Sequence, residues 1–253
     1  MCSKQLSPEE TFEQSRTATY ETEHYVFHFT AGSLAEKDIL TIAQTQEAAF
    51  VKICATLNVV YPQRIHYYFT ESALDIGRMI WNEESPCNGC AMCGQNKIYA
   101  VYSEEVKCIG AHEDTHLISF LINFPESDFI VEGLAMYSDG LWWGVSNEEW
   151  AAFYKAKRPD LSISMLLDND SFADVGCQIT YPVAGAFTRY LIDRFGIEKY
   201  IQLYQYKEDQ YDSVFQQIFS GTLAEIEGQF WRKMCEVSYN GAKLEDMLED
   251  EGF

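Results

Sequence analysis

The spacing of apolar residues changes period along the chain. Tyr25-Val-Phe-His-Phe29 is rich in strand formers and predicts a first strand. From Ser33 to about Leu57, apolar residues recur at helical spacing (Ile39, Ile42, Ala43, Phe50, Ile53, Leu57), which predicts one long helix. Arg64-Ile-His-Tyr-Tyr-Phe69 predicts a second strand, followed by a short helix from Ala73 to Ile80. Residues 82–97 carry no such pattern and are expected to form a loop, after which Ile98-Tyr-Ala-Val101 predicts a short strand. Beyond it the pattern is helical almost to the end. Helices are expected near 106–123, 128–140, 147–156, 161–167, 181–195, 197–206, 211–219 and 222–239. Pro182 fits a first helical position and Gly196 a C-terminal stop.

These elements imply an α+β fold, mostly helical, with no internal repeat or low-complexity linker. The expected layout is a single domain over residues 19–240. A small mixed-sheet lobe covers about 19–105 and a helical lobe about 106–240, with the site in the cleft between them. Residues 1–18 are polar and expected to be peripheral. The acidic tail at 241–253 is expected to fray.

Composition narrows the function classes. Of 253 residues, 47% are hydrophobic and 15% aromatic, ample for a packed interior. The net charge of -21, from 39 acidic and 18 basic residues, argues against nucleic-acid binding and against attraction to anionic membranes. No apolar run reaches the roughly 18 residues of a membrane span. The opening Met1-Cys2-Ser3-Lys4 fits a secreted protein lipid-anchored at Cys2 after signal removal, and fits an ordinary cytoplasmic start equally well.

The chemistry centres on His112-Glu113-Asp114-Thr115-His116. Imidazoles at i and i+4 lie one turn apart on one helix face, where both reach a single ion. Glu113 sits beside that face, placed to take a proton from a metal-bound water. The plain alternative is that both histidines face a core with Ile109, Leu117, Phe120 and Leu121. A second element, Phe129-Ile-Val-Glu132-Gly-Leu-Ala-Met-Tyr137, sets a carboxylate among apolar neighbours. Burial of an unpaired carboxylate is costly, so a metal is its best partner. Gly133 beside it lets two helices approach closely.

His112-Glu113-x-x-His116 followed by Glu132-Gly-x-Ala resembles the gluzincin metallopeptidases, and most of all the smaller bacterial peptidase-MA-like domains. Their later segment is matched by Tyr181-Pro-Val-Ala-Gly185-Ala-Phe187-Thr-Arg-Tyr190-Leu191. The resemblance spans roughly residues 20–235, with specific motifs only in 98–196. It implies a thermolysin-like zincin core and one zinc per chain, held by His112, His116 and Glu132. It further implies Glu113 as general base and the Tyr181 hydroxyl as a donor to the oxyanion. The substrate would be a peptide or protein. The resemblance also implies that strand Ile98–Val101 offers backbone hydrogen bonds to an extended peptide, which needs an exposed sheet edge. The gap from His116 to Glu132 is shorter than in thermolysin. The Gly-x-Met-Glu-Asn motif of alanyl-type aminopeptidases is absent, so no free-amine anchor is evident.

Eight cysteines include Cys87-x-x-Cys90-x-x-Cys93 in the expected loop. A second metal or iron–sulfur site, a disulfide such as Cys87 to Cys93, and free thiols all fit this spacing. Two other readings therefore stand beside peptide hydrolysis. One is a non-catalytic zinc- or peptide-binding protein, which has no need of Glu113. The other is a metal–thiol protein centred on these cysteines.

Overall fold

The computed structural model describes residues 6–81, 85–207 and 210–252, so Cys2 and residues 82–84 of the expected loop lie outside the described residues. The fold is α+β and mostly helical, and the chain divides into two compact units, one up to Leu121 and one from Ile122.

The first unit runs α1 (Pro8–Gln14), β1 (Ala18–Glu21), β2 (Tyr25–Phe29), α2 (Leu34–Lys37), α3 (Ile39–Leu57), β3 (Ile65–Thr70), α4 (Ala73–Trp81), β4 (Gly89–Met92), β5 (Lys97–Val101) and α5 (His112–Ser119). The sheet order is β1-β2-β3-β5-β4, with β2, β3 and β5 parallel and the two outer strands antiparallel to their neighbours. Alternation along the strands builds two different faces. Tyr25, Phe27, Tyr67 and Phe69 form a continuous aromatic layer on one, met by Phe50 of α3. On the other, Tyr68, Tyr99 and Val101 pack with Phe12 of α1 and Ile76 of α4.

Three expectations are corrected here. The polar start is not wholly peripheral. Phe12 is 8% exposed, and Glu9 and Glu13 of α1 hold Lys97 and the Tyr99 hydroxyl. Pro8 and the capping box of Ser7 with Glu10 start this helix. The expected loop contains β4, because Gly94 and Asn96 take positive φ and turn the chain back onto β5. As a result Ile98–Val101 has no free edge: β5 lies between β3 and β4, and the outermost strand on that side is β4.

On the α1 face His28 Nε2 and His66 Nδ1 lie 2.9 Å apart on neighbouring strands. Burial first, and then the neighbouring His66, push the His28 pKa down to about 4 from its ordinary 6.5. Between those values the unfolded chain binds a proton that the folded chain refuses, so folding stability falls as pH drops from 6.5 toward 4. Thermal unfolding across that window is expected to show a falling Tm, with a shallower fall in His28→Asn.

The second unit runs α6 (Asp128–Asp139), β6 (Leu141–Trp142), β7 (Val145–Ser146), α7 (Asn147–Lys157), α8 (Ile163–Leu166), α9 (Asn169–Val175), α10 (Cys177–Phe195), α11 (Ile197–Tyr204), α12 (Tyr211–Phe219), α13 (Leu223–Met234) and α14 (Gly241–Asp250). Its core is the pair α6 and α10, with α7 packed on α10. The pair is close because its facing residues are small. A Cβ on Gly133 would sit 2.5 Å from Thr188 Oγ1 and 3.1 Å from the Ala184 carbonyl oxygen. Pro182 does not start α10, as expected, but lies inside it, since the helix begins one and a half turns earlier after Gly176. The acidic tail is helical as far as Asp250. Asn240 caps it, Leu244 is buried, and Glu245 pairs with Lys157 of α7.

Candidate metal and catalytic site

Helix α5 is shorter than its predicted 106–123, because Gly110 takes φ +124° just before it and no side chain caps its start. Gln46 of α3 instead holds the residue that leads into the helix. Its Oε1 accepts the Gly110 N–H at 2.7 Å, while its Nε2 donates to the Gly110 carbonyl at 3.0 Å and to Asp114 Oδ2 at 3.0 Å. The Tyr25 hydroxyl of β2 donates to the same Asp114 oxygen. Asp114 is fully buried, so this network fixes the rotation of α5 from two other elements at once.

That rotation buries Glu113, Asp114, Thr115, Leu117, Ile118 and Ser119, and leaves His112 and His116 partly exposed. The core-histidine alternative therefore does not hold. Phe120 and Leu121, expected to share that core, are exposed as well. The two Nε2 atoms lie 3.3 Å apart. Both imidazoles thus aim one nitrogen at a common point, as the i, i+4 spacing requires.

Glu113 lies against β4. A Cβ on Gly89 would come 2.4 Å from its Oε1 and 2.6 Å from Cys108 Sγ, so a larger residue at this strand position would push the carboxylate aside. Around it, Cys87, Cys90 and Cys93 are free thiols, so among the alternatives the Cys87–Cys93 disulfide is not formed. Desolvation, and after it the charge of Glu113, push Cys87 and Cys93 up to about 11 and Cys90 up to about 12. Burial and the neighbouring carboxylate thus both favour the protonated thiols. Cys87 and Cys90 pack instead on the α4 side of the sheet, and the Cys93 thiol donates to the His116 carbonyl at 3.6 Å.

In the second unit, Glu132 stands half-buried on α6 between buried Val131 and buried Gly133. Cys177 opens α10, and its thiol is pushed up by desolvation and, to a lesser degree, by the charge of Glu132. Tyr181 lies one turn further along the same helix face. Its ring packs 5.7 Å from Trp142 and 6.1 Å from Phe172. Tyr190 is buried among Phe187 and Phe230 and serves packing.

Sequence reasoning missed Gln46, Tyr25, Gly89 and the Trp142–Trp143 pair. Only Asp114 gave a signal, a second carboxylate beside Glu113 within the His112–His116 segment. No protein-family model matches this chain, and no curated protein matches it in sequence.

Proposed function

We infer that the chain is a zinc-dependent peptidase of the gluzincin kind, with His112, His116 and Glu132 as ligands and Glu113 as general base. The observation that carries this reading is the donor set. Among the described residues, one donor atom from each of His112, His116 and Glu132 lies within 4.8 Å of the others. Two imidazoles and one carboxylate suit zinc, and three protein ligands leave a position open for chemistry. A zinc ion bound there supplies Lewis-acid polarisation and acidifies water to a pKa near about 7.

The protein groups do the rest. Glu113, 9% exposed and acceptor-only when ionised, takes a proton from the attacking water as its oxygen bonds to the peptide carbon. It returns that proton to the nitrogen as the C–N bond breaks. The Tyr181 hydroxyl is assigned to donate to the oxygen on which charge develops. The substrate backbone is assigned to β4, the outer strand that packs on α5, in place of β5.

Elemental analysis of the purified chain is expected to find about one zinc per molecule. His116→Ala and Glu132→Ala are each expected to lose most of it at micromolar metal, because two ligands hold zinc far less tightly than three. Wild-type protein that stays metal-free after zinc loading would overturn the reading.

A further inference from the structure

The hairpin that follows α6 breaks two local rules. Trp142 pairs with Val145, so Trp143-Gly144 is a two-residue turn, with φ of +50° and +75°. This is type I′ geometry, which favours Asn, Asp or Gly at its first position and strains a bulky side chain there. The Trp142 indole N–H is also buried without an acceptor among the described residues, a second local cost.

The strain secures an arrangement of rings. Trp142 and Trp143 stack at 5.1 Å between centroids, with planes 29° apart, and both remain partly exposed. Trp143 meets Trp150 edge-on at 5.7 Å, and Trp142 lies 5.7 Å from Tyr181. Trp142 therefore touches the tyrosine assigned to the oxyanion, in the unit that carries Glu132. Positions where local preference is overridden concentrate at functional sites.

We propose that Trp142 and Trp143 recognise an aromatic side chain of the peptide substrate, placed next to the scissile bond. The proposal rests on the peptidase reading and adds its substrate class. Indole faces favour offset or edge-on contact with another flat ring. The hairpin, Leu141-Trp-Trp-Gly-Val-Ser146, carries no charge that would draw a basic or acidic side chain.

The test compares two peptides that differ only in Phe against Ala at one position beside the cleaved bond. Wild-type protein is expected to favour the Phe peptide about tenfold in kcat/KM. Trp143→Asn, whose new residue suits the turn, is expected to cut that preference to about twofold, and Trp143→Phe to keep most of it. A purely structural tryptophan predicts shifts in Tm with the Phe-to-Ala ratio unmoved. The same peptides are titrated onto Glu113→Gln, following tryptophan fluorescence, so that recognition is read without turnover. There the Kd ratio is expected to match the kinetic one.

Equal use of both peptides, preference for Lys or Arg, or a Trp143→Asn variant that keeps the full ratio overturns the proposal. So does a Kd ratio near one. Absence of cleavage with the Kd ratio intact instead overturns the peptidase reading and leaves aromatic recognition standing.

Discussion

Glu113→Gln is expected to lower peptide hydrolysis by about 10³-fold or more while leaving the zinc content at its wild-type level. General-base catalysis contributes on the order of 10²–10⁴, and a neutral amide cannot accept the water proton. Two features make this substitution clean. Gln matches Glu in shape, so the crowded contact with Gly89 and Cys108 is preserved. Glu113 is also not one of the three grouped donors, so metal binding does not depend on its charge. Turnover is measured on a mixed peptide library and metal by elemental analysis of the same sample. Full turnover in a fully loaded variant rules out Glu113 as the base. Lost turnover accompanied by lost zinc shows only that the site collapsed.

The largest stability effect is expected at the crossing of α6 and α10. A Cβ on Gly185 would lie 2.7 Å from Met136 Cβ and 2.5 Å from Asn147 Nδ2. Neither neighbour can retreat easily. Met136 and Asn147 are both 1% exposed, and Asn147 Nδ2 donates to the Met136 carbonyl at 2.9 Å. Gly185→Ala therefore forces the helices apart or breaks the bond that closes the end of α6. Overpacking of this kind costs about 2–3 kcal/mol, which corresponds to a Tm lower by roughly 5–10 °C. Gly228→Ala on α13 serves as the control. Its Cβ meets nothing nearer than Arg232 Nη1 at 3.6 Å, so the gain in helix propensity makes it neutral or stabilising. Equal Tm values for the two variants in thermal unfolding would show that the crossing tolerates separation.

Both the grouped donors and the helix crossing were foreshadowed by local spacing. His112 and His116 stand four residues apart, and helix geometry alone brings their nitrogens together. Glu132-Gly133 carried its own signal, a carboxylate and a missing side chain within an apolar run. The boundaries of α6 and α12 follow the periodicity closely for the same reason. What sequence hid is nonlocal. Asp114 meets partners 68 and 89 positions away, and no window along the chain contains all three. Strand β4 is made of Gly, Cys, Ala and Met, none of them a strong strand former, and exists because a turn returns it to β5. The N-terminal and C-terminal helices each bury a single large apolar residue, Phe12 and Leu244, too few to set a period. The turn at Trp143-Gly144 escaped notice because its first residue is the wrong kind for its backbone.

The link from Asp114 to Tyr25 and Gln46 bears on the order in which the molecule assembles. An eight-residue helix does not persist alone in water, and the groups that seat this one arrive from a strand and a helix made earlier in the chain. Helix α5 is thus expected to form on the sheet and α3 rather than ahead of them. The seat of α5 is built from Asp114, Tyr25 and Gln46 and from neither imidazole, so replacing His112 or His116 is expected to leave the first unit folded.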